Sequence, residues 1–249
     1  MKVTEDIELI DGLPIAYVRS LNSLAVADLH LGYEGVMAKR GILVPKANLK
    51  FIKKSIKSAV ELTSAKNIIV DGDIKNDFSD VDVEEFNELF ELIHFLKDLN
   101  LSITLIKGNH DNFVERYKEA FNLKVYRQET LIENYLFLHG EELPAEDKLQ
   151  SSSTLIMGHE HPAISIYTEA GSKEKLKCFL YGKYDGKPIL VLPAMSYFSG
   201  GTDINLVPKE ELLSPLFKNI DVDSMEVYAI GYGSTVDFGT VEIIKKGTF

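Results

Sequence analysis

Short apolar runs that end abruptly in polar residues recur five times in the first two-thirds of the chain. The runs cover residues 23–27, 67–70, 102–106, 135–138 and 153–157. Continuous apolar runs of this length, closed by Gly or Asp, are typical of buried strands that are covered on both faces. Between several of them, apolar positions at three- and four-residue spacing predict helices over residues 46–64, 83–99 and 112–121. The pattern therefore predicts an alternation of strands and helices.

The two ends of the chain have a pattern richer in strands. Asp11-Gly12 lies between the apolar runs 7–10 and 13–18, which predicts a hairpin. The charged run 173–177 is interpreted as a solvated turn. In the last third, the pattern predicts strands at residues 179–181, 188–192, 225–230 and 240–244 and one helix at residues 208–218. A β-rich end after an α/β beginning predicts a second sheet packed on the first.

The composition is that of an ordinary globular protein. The chain has 249 residues, of which 45% are hydrophobic and 26% are charged, so one α/β domain over residues 1–249 is expected. The sequence has no apolar stretch of the roughly 20 residues that would span a bilayer. The first residues also lack the basic-then-apolar order of a signal peptide, so we expect a cytoplasmic protein without membrane partners. The single cysteine, Cys178, is interpreted as a small core residue.

The net charge of −11 argues against a broad surface for nucleic acid, which would have to be basic. Two bound divalent metals would cancel about four of these negative charges. A small phosphate-bearing ligand therefore remains compatible with the charge, whereas extended nucleic acid is disfavoured as a partner.

Polar side chains follow each of the five apolar runs. In open α/β sheets, ligands bind at the carboxyl ends of the strands, so these side chains should converge. They include five of the six histidines of the chain. Imidazole with carboxylate, and without thiolate, suits Mn, Fe, Zn, Co or Ni better than Ca or Mg. The candidate metal ligands are Asp28, His30, Asp73, Asn109, His139, His159 and His161. Seven donors exceed one tetrahedral site, but two metals bridged by one carboxylate would use them.

The spacing within the clusters agrees with a common site. In Asp28-x-His30 and His159-x-His161, alternate residues of an extended segment would point the same way. Each cluster alone has a plainer interpretation: Asp71-Gly-Asp73 is more often a turn, and residues 108–111 could cap a helix. The five clusters in this order, each after a strand, favour the metal site.

The ordered motifs D-x-H, G-D, G-N-H-D, H-G and G-H-x-H resemble those of the calcineurin-like metallophosphoesterases, including the small prokaryotic branch. The resemblance runs from Asp28 to His161. It implies an α/β (α+β) fold in four layers, a two-sheet β-sandwich flanked by helices. It also implies two metal sets that share Asp73 as the bridge. One set would be Asp28, His30 and His161, and the other Asn109, His139 and His159.

Within this family, we expect a phosphodiesterase that acts on small nucleotide-type diesters such as cyclic nucleotides, with manganese as the favoured metal. The substrate class is inferred from the net charge of −11 and from a chain length that leaves little room for the large insertions of extended substrate grooves. A metal-bridging hydroxide would attack the phosphorus, and His110 would protonate the leaving oxygen as general acid. Asp111 would orient His110. One departure is Asn76, where the family often carries an acid; Asp77 follows it.

Two alternatives stay open. One is a DNA-repair-type nuclease, which shares these motifs. The other is a non-catalytic scaffold of the same fold, in which we would expect substituted ligands, and none of the seven is substituted here.

Overall fold

The first of two β-sheets is built mainly from the N-terminal half of the chain. The computed structural model describes residues 1–76, 83–112, 114–167 and 171–247. Within these ranges the first sheet has six strands in chain order. They are β1 (Ile7–Leu9), β2 (Ala16–Val18), β3 (Ser23–Val26), β4 (Asn67–Asp71), β5 (Ser102–Ile106) and β6 (Lys124–Tyr126). β1 to β3 pair antiparallel, whereas β3 to β6 pair parallel.

Helices make the parallel crossovers of the first sheet. The described helices are α1 (Tyr33–Lys39), α2 (Asn48–Thr63), α3 (Val83–Asp98), α4 (Lys118–Phe121), α5 (Glu146–Ser151) and α6 (Val241–Lys246). α2 connects β3 to β4, and α3 precedes β5, as parallel pairing requires. The buried carboxylate of Glu34 accepts hydrogen bonds from the backbone N–H groups of Ala47 and Asn48, and it thereby caps the start of α2.

The second sheet contains the remaining strands. They are β7 (Glu129–Ile132), β8 (Tyr135–Leu138), β9 (Thr154–Met157), β10 (Pro162–Tyr167), β11 (Lys173–Tyr184), β12 (Lys187–Val191), β13 (Thr202–Asp203), β14 (Glu226–Gly231) and β15 (Ser234–Thr240). The spatial order is β13-β10-β11-β12-β9-β8-β7, and the β14–β15 hairpin also pairs with β11. β9 lies between β8 and β12 and is parallel to both.

Alternation along the strands separates the apolar core into layers. Leu24 and Val26 of β3 pack in a cluster with the buried faces of α2 and α3. Ala25, between them in sequence, joins a second cluster with Phe137 and Phe179 of the other sheet. A third cluster joins the far face of the second sheet to α6 and to residues 215–219. The layers are helices, sheet, sheet and helices, which confirms the predicted two-sheet sandwich flanked by helices.

Several elements differ from their sequence patterns. Residues 240–244 were predicted as a strand, but they lie mostly in α6, where Val241 and Ile244 are buried one turn apart. Residues 208–218 were predicted as one helix, but they form short 3₁₀ turns at Lys209–Glu211 and Pro215–Asn219, because Pro215 cannot continue a helix. The run 173–177, interpreted as a turn, begins the long strand β11.

The remaining predictions concern one helix, membrane spans, the number of domains and the location. Residues 112–121 contain a 3₁₀ turn at Val114–Tyr117 followed by α4 instead of one helix, and residue 113 lies outside the described residues. No helix in the described ranges is both long and apolar enough to cross a membrane. The single domain over residues 1–249 and the cytoplasmic location stay predictions.

Candidate metal centre

The polar clusters after β3, β4, β5, β8 and β9 meet at one edge of the sandwich. The backbone N–H of His159, after β9, donates to the carboxylate of Asp28, after β3, at 3.1 Å. The backbone N–H of His110, after β5, donates to Asp73 Oδ1 at 3.0 Å. The carboxyl ends of strands from both sheets therefore build the site.

The backbone at these positions is strained. Five of the candidate ligands lie in the left-handed region, with φ of 57° at Asp28, 48° at His30, 49° at Asp73, 65° at His159 and 49° at His161. Non-glycine residues adopt this region rarely, and such residues cluster at functional sites. The premise that the two x-spaced pairs lie in extended segments was therefore wrong, although each pair does face the site.

One group of donors consists of Asp28, His30 and His161. Their donor atoms lie within 4.8 Å of one another. His161 Nε2 lies 3.2 Å from Asp28 Oδ1, and His30 Nε2 lies 3.3 Å from His161 Nε2. The other ring nitrogens are held from behind, by the carbonyl of Lys75 at 3.3 Å for His30 and by the hydroxyl of Ser199 at 3.0 Å for His161. Such outer contacts orient an imidazole toward a metal.

A second group consists of Asp73, His139 and His159, again within 4.8 Å of one another. His139 Nε2 lies 3.4 Å from Asp73 Oδ2 and 3.2 Å from His159 Nδ1. The carbonyl of Asp71 contacts His139 Nδ1 at 3.0 Å and so fixes the ring. The structure thus brings six of the seven candidate ligands together in these two groups, and His30, Asp73 and His110 form a third group of the same kind.

The arrangement of these donors fits divalent metals. In each group two imidazole nitrogens face each other at 3.2 to 3.3 Å, a contact that needs a proton or a cation between them. The seventh candidate, Asn109, has a buried Oδ1 without a hydrogen-bond partner among the described residues. A buried unpaired oxygen is unfavourable unless it binds a metal or water. Imidazole, carboxylate and amide donors suit transition metals.

Two glycines make room for the donors. A Cβ at Gly72, where φ is 82°, would lie 1.9 Å from His139 Nδ1. A Cβ at Gly108 would lie 2.2 Å from Asp73 Oδ1. Real side chains do not approach this closely, so both positions require glycine for the rings and carboxylates to stay where they are.

Burial and neighbouring charges divide the four candidate histidine ligands into two kinds. Burial lowers the pKa of His30 to about 4, and burial together with the charge of His139 lowers the pKa of His159 to about 4. Both rings are therefore neutral at pH 7, the form that binds a metal. Burial also opposes the charged forms of His139 and His161, but neighbouring carboxylates outweigh it and raise the pKa of both.

His110 and Asp111 lie beside the two groups. His110 Nε2 lies 3.7 Å from Asp73 Oδ2, and its Nδ1 is 2.7 Å from the carbonyl oxygen of Asn76. Asp111 is fully buried, and its carboxylate accepts hydrogen bonds from the backbone N–H groups of Gly108 and Lys75. Burial, with the charge of Asp73, raises the pKa of Asp111 to about 7. Asp111 thus holds the loop that carries His110, and any effect on the ring would pass through that loop.

The position of Asn76 changes what its sequence departure means. Its backbone carbonyl, which any residue would supply, contacts His110, so this contact does not need an acid. Its backbone N–H donates to the carboxylate of Glu85, on α3. Asp77 lies outside the described residues.

Sequence patterns missed one residue that organises the site. The amide of the fully buried Asn48 donates to the carbonyls of Leu29 and His30 and accepts from the backbone N–H of Tyr197. It thereby ties the loop after β3 to the segment after β12. An asparagine at the first residue of a helix has no distinctive pattern, so only the structure shows this role.

The family model described as calcineurin-like phosphoesterase matches residues 21–191. The fold is similar to that of the nuclease MPE of Pseudomonas putida, with a TM-score of 0.61 and 18% identity over 90% of this chain and 93% of that one. A phosphoesterase from E. coli, Yfce, gives a TM-score of 0.40 and 16% identity over 86% of this chain and 96% of that one. No curated protein gives a significant sequence match.

Proposed function

Because the chain belongs to the calcineurin-like phosphoesterase family, we propose that it is a phosphodiesterase that hydrolyses small nucleotide-type diesters, such as cyclic nucleotides, with two divalent metals. The observation that carries this proposal is that two groups of metal donors lie next to each other at one edge of the sandwich, with His110 beside them. The groups are Asp28, His30 and His161, and Asp73, His139 and His159. A fold alone would not specify chemistry, whereas such a site does.

Each candidate ligand has a proposed place. Asp28, His30 and His161 would hold one ion, and Asn109, His139 and His159 would hold the other, with Asp73 between them. The imidazole, carboxylate and amide donors fit Mn, Fe, Ni, Co or Zn, and manganese is the metal that we propose among these. Two such ions, when bound, lower the pKa of a water molecule and neutralise charge on the phosphate oxygens.

The residues of the chain would supply the remaining steps. His110 is proposed to give a proton to the leaving oxygen as general acid. The carbonyl of Asn76 on its Nδ1 fixes the ring, so that Nε2 is the atom that faces the site near Asp73. Asp111 would position His110 by holding residues 108–111 through its two backbone hydrogen bonds.

The proposal of a small substrate rests on the charge of the chain. The net charge of −11 favours a small substrate over a polymer that must be held along a surface.

A substrate panel tests the proposal. The manganese-loaded protein would be compared on bis-p-nitrophenyl phosphate, p-nitrophenyl phosphate, 2′,3′- and 3′,5′-cyclic nucleotides and short oligonucleotides. We expect higher kcat/KM on the diesters and on at least one cyclic nucleotide. A clear preference for the monoester would overturn the assignment as a diesterase.

A nuclease is the second candidate, because the similar fold found in Pseudomonas putida belongs to a nuclease. A nuclease should bind single-stranded DNA with an affinity that falls steeply with salt, since it would neutralise several phosphates. Such binding, together with faster cleavage of oligonucleotides than of cyclic nucleotides, would favour this candidate over the first.

A further inference from the structure

Four aromatic rings form a cluster beside the first group of metal donors. We call Tyr33, Phe51, Tyr197 and Phe198 the aromatic cluster. Tyr33 and Phe198 stack with centroids 4.9 Å apart and planes 15° from parallel. Tyr197 meets Phe198 edge to face at 5.1 Å and meets Phe51 at 5.7 Å. Such pairs hold one another in fixed orientations.

The aromatic cluster is built on the same segments that hold the candidate ligands. Tyr33 is the first residue of α1 and follows His30 by three positions. On the other side, the Ser196 backbone N–H donates to the carbonyl of Asp28 at 3.0 Å, and Ser199 Oγ contacts His161 Nδ1 at 3.0 Å. Two residues of extended chain span at most about 7 Å, so Tyr197 cannot lie far from the contact at Ser199.

The segment that carries Tyr197 is held firmly. The carboxamide of the fully buried Asn48 accepts a hydrogen bond from the Tyr197 backbone N–H at 2.8 Å. The largely buried ammonium of Lys177 donates to the carbonyls of Ala194 and Ser196. Because the aromatic cluster is already ordered, it loses little entropy when a ligand packs on it.

Despite this framework, Tyr197 stays exposed. Tyr197 is 55% exposed, while Tyr33, Phe51 and Phe198 are partly buried around it. An aromatic ring that is held in place by neighbours and open to solvent beside the candidate metal centre is well placed to stack on a flat ligand group.

We propose that Tyr197, supported by Phe198 and Tyr33, stacks on the nucleobase of the substrate and so determines specificity for nucleotides. This inference rests on the proposed function, because it assigns the base of the diester whose phosphate the metal groups would bind. The ligand is a nucleobase because the aromatic cluster is uncharged and presents flat rings. The metal donor groups beside it suit a phosphate, and a nucleotide carries a base and a phosphate in one molecule.

A pair of diesters with the same leaving group tests the proposal. Thymidine 5′-phosphate p-nitrophenyl ester and methyl p-nitrophenyl phosphate differ only in a nucleoside against a methyl group. We expect Tyr197→Ala to lower the ratio of their kcat/KM values by about tenfold or more, as loss of base stacking does. Tyr197→Phe keeps the ring and should keep the ratio. Tyr232→Ala removes a tyrosine that is 90% exposed at the turn between β14 and β15, and it is the matched control that should also keep the ratio.

A binding measurement separates this inference from the proposed function. Calorimetry on the manganese-loaded protein would compare AMP with ribose 5-phosphate, which lacks the base. We expect AMP to bind about tenfold more tightly to the wild type, and Tyr197→Ala to remove that difference. Failure to hydrolyse either diester would contradict the proposed function. The calorimetry would then test by itself whether Tyr197 stacks on a nucleobase. The stacking of Tyr197 on a nucleobase would be contradicted if AMP and ribose 5-phosphate bound equally to the wild type. It would also be contradicted if Tyr197→Ala left the kcat/KM ratio unchanged.

Discussion

Gly72 offers a sharp test of how the chain positions a metal ligand. It lies between Asp71 and Asp73 with φ of 82°, and a Cβ there would lie 1.9 Å from Nδ1 and 2.4 Å from Cγ of His139. These distances are far inside van der Waals contact, so in a Gly72→Ala variant the ring of His139 has to move. Its Nδ1 contact with the carbonyl of Asp71 would be lost with it.

Two effects of Gly72→Ala can be separated. The left-handed backbone costs an alanine about 1–2 kcal/mol. Gly186, in the turn between β11 and β12, has φ of 75° and nothing within 4 Å of a Cβ, so Gly186→Ala has the strain without the clash. For a chain of this size, 1 kcal/mol lowers Tm by roughly 2–4 °C, so the backbone strain should lower the Tm of both variants by roughly 2–8 °C. Only Gly72→Ala should also displace a ligand.

The assay is manganese binding by calorimetry, with the metal content of each variant measured by mass spectrometry. We expect Gly72→Ala to bind manganese at least about tenfold more weakly at one of two sites, because even loss of a group behind a ligand has effects of this size. Gly186→Ala should bind as the wild type does. If Gly72→Ala bound manganese at both sites with the affinities of the wild type and kept full activity, His139 would not be a metal ligand positioned by Gly72.

Three further predictions follow from the site. His110→Ala should lower kcat at least about 100-fold on a diester with a poor leaving group while metal content is unchanged, and full turnover on that substrate would contradict a general acid. Asn109→Ala should lower the content of one metal per chain, measured by mass spectrometry, and unchanged content would remove Asn109 from the ligand set. Burial opposes the charge on His139, but Asp73 and Asp28 raise its pKa above that of a free imidazole, so the metal-free ring keeps its proton to higher pH and has to lose it when manganese binds. Affinity should therefore rise with pH, and the calorimetric enthalpy should differ between two buffers of unlike ionisation heat; equal enthalpies would contradict a protonated His139.

The sequence predicted the parts of the fold where pattern and packing agree. The buried parallel strands β4 and β5 were found almost to the residue, because a strand covered on both faces must be apolar throughout. Residues 240–244 were predicted wrongly because Val241 and Ile243 fit the alternation of a short strand, whereas Val241 and Ile244 fit one turn of a helix. Only the packing of Val241 and Ile244 against the second sheet distinguishes the helix from a strand.

The candidate site could be predicted in its residues but not in its geometry. Histidines and acids after strands are visible in a sequence, whereas the left-handed backbone of Asp28 and His30 is set by hydrogen bonds to Gly72 and Asp73. The clamp made by Asn48 joins segments about 150 positions apart along the chain, a separation that local patterns do not encode. Contacts between distant segments therefore had to come from the structure.

The central claim is that two metals act together on a phosphodiester at the paired donor groups. It is tested most directly by titrating the metal-stripped protein with manganese and following hydrolysis of bis-p-nitrophenyl phosphate against manganese bound per chain. The account predicts that activity rises until two ions are bound per chain and then stays constant. Full activity at one ion per chain, or no hydrolysis at two, would contradict it.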